Sequence, residues 1–278
     1  MLFRIISSLI ILPALLWLMF THPVAFRLFV VVGLLVGYEE YRRILQAKKL
    51  QFKPWLGITA LLAILLPTAL GPYLVLPAGW EPFLSRSGSL TVAGFFMAAA
   101  VWRVTHTDLK KGLERFWAEL AGLIYIGLLG LHVIKLNALQ QGAWWTVLMF
   151  WYAWIYDSGA LFIGKPFGKT KFSVISPGKT WEGFWGGVAF NILLSGLVLP
   201  HFFPVDFPLN GWQLALLSIP ASLLAQAGDL FESMMKRFAG VKDSSHLISK
   251  HGGFLDKMDS SLFVAPLLYL AALIVGAV

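Results

Sequence analysis

This sequence predicts an all-α integral membrane protein of about nine transmembrane helices with a polar cavity on the cytoplasmic side. Three observations predict it. Hydrophobic residues make up 58% of the 278 and charged residues only 13%, against roughly 25% charged residues in a soluble domain. Mean hydropathy is +0.74. The apolar residues also fall in runs, and 18 of the 22 lysines and arginines fall in alternate gaps between those runs.

A hydrocarbon core about 30 Å thick takes about 20 mostly apolar residues per helix. The runs that approach this length are Leu2–Phe20, Val24–Gly37, Trp55–Leu70, Leu90–Val101, Ala118–Leu136, Trp144–Ile163, Phe184–Leu199, Trp212–Phe231 and Ser261–Val278. The first is too long and smoothly continued for a cleaved leader and has no small-residue cleavage site, so it reads as a retained span. The second and fourth are short and fit a tilted or partly re-entrant segment. Residues 1–142 read as N-terminal spans and 143–278 as the region that carries chemistry.

Basic residues decide the orientation. Arg42, Arg43, Lys48, Lys49 and Lys53 follow the second run, and Arg103, Lys110, Lys111 and Arg115 the fourth. Lys165, Lys169, Lys171 and Lys179 follow the sixth, and Lys236, Arg237, Lys242, Lys250 and Lys257 the eighth. With Arg4 these lie on one side if nine spans alternate, leaving Arg27, Arg86 and Lys135 opposite. The positive-inside bias makes that side cytoplasmic and places the C-terminus outside, as for a bacterial-type inner membrane. The net charge of +8 is then a topology signal, and no nucleic-acid partner is expected. Cysteine is absent, which excludes disulfides and thiolate metal sites.

Two charged blocks interrupt this pattern. In the first, Asp157 to Gly183, Asp157 sits about six residues inside its span, roughly 9 Å by helix rise. A carboxylate at the bilayer centre costs about 2.5–3.5 kcal/mol, so it is expected to face a polar cavity or a partner. Gly159, Gly164 and Gly168 allow close backbone approach. Ser176-Pro177-Gly178-Lys179-Thr180 is a turn opening the next helix, a place suited to an anion. Taken singly, the lysines here are topology charges and the Pro-Gly is loop punctuation. The P-loop pattern is missing.

The second block, Gln226 to Asp259, holds Asp229, Glu232, Asp243, Asp256 and Asp259, five of the 14 acidic residues. Asp229 with Glu232, and Asp256 with Asp259, are three apart, which puts each pair on one helical face. Such pairs repel unless a cation lies between them, and hard oxygens without cysteine favour Mg²⁺ over zinc. The ordinary alternative is a solvated loop with incidental salt bridges. Against it stand the membrane border, the backbone amides of Gly252-Gly253 and the apolar runs on both sides. His251 suits a phosphate, a metal or a proton, although a lone loop histidine is more often polar filler.

Ser233, Lys236-Arg237, Lys242-Asp243, His251-Gly252-Gly253, Asp256 and Asp259 together resemble the C-terminal signature of the phosphatidate cytidylyltransferases, or CDP-diacylglycerol synthases. Asp157-Ser158-Gly159-Ala160, Gly164-Lys165, Phe167-Gly168-Lys169 and Ser176 through Gly183 are similar to that family's preceding block. Two departures stand out: Asp256-Lys257 where the family has Asp-Arg, and Ser249-Lys250 where it has Pro-Gly ahead of His-Gly-Gly. The resemblance implies a reaction of CTP with phosphatidate at the bilayer, giving CDP-diacylglycerol and diphosphate. It implies Mg²⁺, with K⁺ as an optional second ion, on carboxylates matching Asp229 and Asp256. Asp259 would be a further ligand or support one. Lys179, Lys236, Arg237, Lys242 and Lys257 would hold triphosphate or lipid phosphate. Asp243 completes the signature, and Asp157, Lys165, Lys169, Ser176, Glu182, His251, Gly252 and Gly253 would line the substrates. A homodimer is compatible with this reading. CDP-alcohol phosphatidyltransfer is disfavoured because its Asp-Gly-x2-Ala-Arg pattern is missing, and a cation transporter because the acidic residues cluster at one face beside lysines.

Overall fold

Leucine, alanine, phenylalanine and tryptophan runs with few breakers fold as helices, because a helix satisfies every backbone polar group internally in lipid. The computed structural model describes residues 2–50, 54–71, 91–101, 109–241, 244–245 and 252–277. Nine helical runs appear among the described residues: α1 Leu2–Thr21, α2 Pro23–Gln46, α3 Pro54–Leu70 and α4 Thr91–Val101 come first. The fifth, α5, runs from Leu109–Gly122 through a π-helical stretch, Leu123–Leu128, into Leu129–Ala138. Then follow α6 Gly142–Phe167, α7 Trp181–Leu197 with a 3-10 turn at Leu199–His201, α8 Gly211–Ala239 and α9 Leu255–Ile274. Five of these, α5 to α9, are long and apolar enough to cross a membrane. Their outward faces carry Leu161, Phe162, Trp185, Leu193, Trp212, Leu216, Leu270 and Ile274 exposed, an apolar surface that water would penalise and acyl chains match.

Two helices depart from the hydropathy boundaries. The second continues past Gly37 to Gln46 because Glu, Arg, Leu and Gln are strong helix formers without being apolar. Within that extension Glu39 accepts hydrogen bonds from Arg42 and Arg43 at 2.7 and 2.9 Å, one turn away. The ninth begins at Leu255, six residues ahead of the expected Ser261, so Asp256, Lys257 and Asp259 are helical.

The chain divides into two compact units: the first comprises Met1–Ala138 with Ala239–Asp256, the second Leu139–Phe238 with Lys257–Val278. In the first unit the tyrosines of α2 pack where glycine leaves room. The Tyr38 ring occupies the space a Cβ would need at Gly57, and the Tyr41 ring does the same at Gly122. The Tyr41 hydroxyl donates to the Ala118 carbonyl at 2.7 Å.

In the second unit α6 and α7 meet through small residues, as membrane helices do when van der Waals contact must replace the hydrophobic drive. A Cβ at Gly183 would sit 2.9 Å from the Ala160 carbonyl and 3.0 Å from Gly164 Cα, and one at Gly187 would sit 2.9 Å from the Tyr156 carbonyl. Deeper in the same helices a buried polar network ties in α8. Asn191 donates to the Tyr152 carbonyl at 3.1 Å and to Ser222 Oγ at 2.9 Å, and accepts from Ser195 Oγ at 3.0 Å. The Tyr152 hydroxyl donates to the Leu214 carbonyl at 2.8 Å.

Candidate active site

The close α6–α7 contact leaves a gap where the chain between them turns back. Gly168 N–H donates to the Gly164 carbonyl at 2.9 Å, and Lys171 pairs antiparallel with Thr180. Glu182 fixes this loop: its carboxylate accepts from the backbone N–H of Lys169 at 3.1 Å and of Thr170 at 3.2 Å. The loop ends in a turn in which Lys179 N–H donates to the Ser176 carbonyl at 3.0 Å. Thr180 then caps α7, its Oγ1 accepting from Gly183 N–H at 3.2 Å.

Beneath the turn, within the second unit, lies a cavity of about 410 Å³. Its polar lining consists of Asp157 and Lys165 from α6, Lys179 and Thr180 from the loop, and Gln226 and Asp229 from α8. Leu161 and Phe184 supply apolar wall, and Gly164, Gly178 and Gly183 supply wall without side chains. Lys179 Nζ donates to an Asp229 carboxylate oxygen in a short ion pair, and Ser233 Oγ donates to the other oxygen at 3.3 Å. The two residues are 50 positions apart, and both remain partly open, at 22% and 28% side-chain exposure.

Asp259 in α9 is buried, with its Oδ1 accepting from Ser260 N–H at 2.7 Å. Among the described residues no three acidic or histidine side chains stand close enough to hold a metal by themselves. Lys236 donates to Glu232 at 2.6 Å, one turn back on α8. Arg237 makes a weak contact, at 3.4 Å, to the Ile175 carbonyl and is exposed. Lys165, Lys169 and Lys257 are exposed as well.

The remaining expected residues belong to the first unit or fall outside the description. Asp256 Oδ2 accepts from Gly253 N–H and from Ser244 Oγ, both at 2.7 Å. Gly252 has φ +81°, a conformation that favours glycine. Lys242, Asp243 and His251 lie outside the described residues.

One lining residue went unassigned in the sequence. Gln226 is only 4% exposed; its Oε1 accepts from the Tyr156 hydroxyl at 2.7 Å, and its Nε2 has no partner among the described residues. A buried amide donor normally finds an acceptor, and this one is left as an unsatisfied polar group beside the cavity. The available signal was its place one turn before Asp229 on the same helix.

A cavity with anchored cations, carboxylates and bare backbone is suited to bringing phosphate groups together. The sequence model of the cytidylyltransferase family matches residues 2–275. Relatives named phosphatidate cytidylyltransferase include one from Staphylococcus epidermidis, 33% identical over 268 residues that cover 95% of this chain and 94% of the relative. One from Staphylococcus haemolyticus is 34% identical over 266 residues, with 95% and 94% covered. One from Staphylococcus aureus is 31% identical over 267 residues, with 95% and 96% covered.

Proposed function

The chain belongs to the cytidylyltransferase family, and from that premise we propose that it is a phosphatidate cytidylyltransferase whose chemistry runs in the second-unit cavity. The reaction joins CTP and phosphatidate to give CDP-diacylglycerol and diphosphate. A phosphatidate oxygen forms a bond to the α-phosphorus of CTP, and the bond from that phosphorus to the bridging oxygen breaks. Its electron pair leaves on diphosphate. The nucleophile is already an anion, so no strong general base is needed. The obstacle is the repulsion between two polyanions, and fixed positive charge removes it.

The observation that carries this reading is the Lys179–Asp229 pair on the cavity wall. An ammonium group already occupies a cation position on Asp229. The same carboxylate, with Asp157 on the wall of the same cavity, fits a hard divalent ion. Such an ion takes one or two protein carboxylates and completes its shell with phosphate oxygens and water. Asp229 would hold Mg²⁺ here, and Asp256 is the second residue the resemblance assigns to it. When bound, the ion supplies charge neutralisation at the triphosphate.

The chain's own residues do the rest. Lys179 moves its contact from Asp229 to a phosphate oxygen as CTP enters, and Lys165 supplies a second cation. Gly178 and Gly183 let phosphate approach the loop and the start of α7, the positive end of that helix's dipole. The Gln226 amide donates to a substrate oxygen. Lys236 and Lys257 would add positive charge for the phosphates.

The site faces the cytoplasm in this account, because CTP is soluble and the basic residues segregate to one side. A C-terminal reporter active only in the cytoplasm should therefore stay silent. Purified protein given labelled CTP and phosphatidate in mixed micelles should release diphosphate and label the lipid only when Mg²⁺ is present. Labelling unaffected by chelation would remove the metal from the account, and no labelling would overturn the assignment.

A further inference from the structure

A carboxylate far away in sequence holds the segment that carries Asp256. Glu40, near the end of α2, is 2% exposed. Its Oε1 accepts from Ser245 Oγ at 2.5 Å and from Phe254 N–H at 3.0 Å. Its Oε2 accepts from Leu255 N–H at 2.8 Å, with Ser244 Oγ at 3.4 Å. Buried carboxylates are costly unless donors surround them, and here the donors come from the start of α9 and the residues before it. Two of them are helix-start N–H groups, which a nearby negative charge also favours through the helix dipole.

The neighbouring groups complete a socket on α2. Gly33, two turns before Glu40 on the same face, leaves the space that the Phe254 ring fills, and Gly37 lies in ordinary contact with that ring. A Cβ at Gly253 would run into both Ser244 Oγ and the Glu40 carboxylate. Gly253 N–H and Ser244 Oγ help orient Asp256, both donating to Oδ2 at 2.7 Å, with Ser244 N–H at 3.3 Å. Glu40 thus bonds Phe254 and Leu255, the two residues that follow Gly253, and Ser245, and touches Ser244, which itself bonds Asp256.

We infer that Glu40 is a positioning residue for the reaction: with Gly33 it seats Phe254 and fixes the carboxylate of Asp256 in its working direction. This rests on the proposed role of Asp256 and adds a residue from the N-terminal half of the chain to the machinery. Misplacement of a working group by about 1 Å costs on the order of a hundredfold in rate.

The test uses the full-length protein in detergent with Glu40→Gln, which keeps the size but turns an amide NH₂ donor toward groups that are themselves donors. Hydrogen exchange by mass spectrometry reports the backbone, and initial rates report kcat and KM for CTP. The expected result is faster exchange confined to the peptide spanning residues 252–258, with peptides from α3 and α6 unchanged. Turnover should fall by about a hundredfold with KM for CTP little altered. Unchanged kcat, a loss of kcat without faster exchange at 252–258, or faster exchange throughout α3 would each overturn the inference. If Glu40→Gln is not recovered folded, Ser245→Ala decides, since it removes one donor and leaves the carboxylate. Faster exchange at Phe254 with lower kcat supports the inference, and no change in either overturns it. Asp256→Asn, measured in parallel, separates the two ideas. Full activity in that variant overturns the role of Asp256, whereas its inactivity together with a fully active Glu40→Gln overturns the positioning role alone.

Discussion

Replacing Lys179 with methionine should separate rate from stability. The side chain keeps its length and loses its charge, and the ion pair with Asp229 disappears. Both partners are partly open to solvent at 22% and 28% exposure, and pairs in such settings are worth only about 0–1 kcal/mol to folding. If Lys179 serves as a preorganised donor to charge developing on the phosphates, its removal should cost about 10²–10³ in rate, or roughly 2.7–4 kcal/mol. The kinetic loss should therefore exceed the thermodynamic loss several-fold. Initial rates of labelled CDP-lipid formation, paired with thermal unfolding in the same detergent, read both quantities. Turnover within a factor of about three of wild type, or a rate loss matched by an equal loss of stability, would refute the assignment.

Lys257 lies exposed in the first turn of α9, where a cation opposes the helix dipole. Lys257→Ala should raise stability by a few tenths of a kcal/mol while lowering turnover by about tenfold, whereas Lys257→Arg keeps or raises turnover. Equal rates for all three side chains would leave position 257 without a phosphate contact. Gly183→Ala places a methyl 2.9 Å from the Ala160 carbonyl and should destabilise by about 1–3 kcal/mol. Gly178→Ala, with nothing within 4 Å, should melt like wild type, and identical melting of both variants would refute the close α6–α7 contact.

Hydropathy located helices well where the chain is uniformly apolar. The α3 helix begins within one residue of its expected start and ends where expected, and α6 within a few residues at each end. It failed where polar residues with good helix propensity extend a span, as Tyr38–Gln46 does in α2 and Leu255–Ser260 in α9. Side-chain roles were legible only by type. The spacing of Asp229 and Glu232 indicated a shared face but not that Lys179, 50 residues away, bonds to Asp229. Nor did the sequence show that the Glu182 carboxylate accepts from the loop N–H groups of Lys169 and Thr170. Glu40 gave no signal of its own because, beside Arg42 and Arg43, it resembles an ordinary charge at a membrane border. Its partners at 244–255 are more than 200 positions away, and only the folded chain brings them together.

Asp229 pairs with Lys179 on the cavity wall and is the residue that would hold the metal. The decisive measurement is the turnover of purified Asp229→Asn with CTP, phosphatidate and saturating Mg²⁺, alongside its melting temperature. Asparagine keeps the shape and removes the charge. The predicted result is turnover at least about a thousandfold below wild type with melting little changed. Turnover near that of wild type in a folded Asp229→Asn protein would contradict the account.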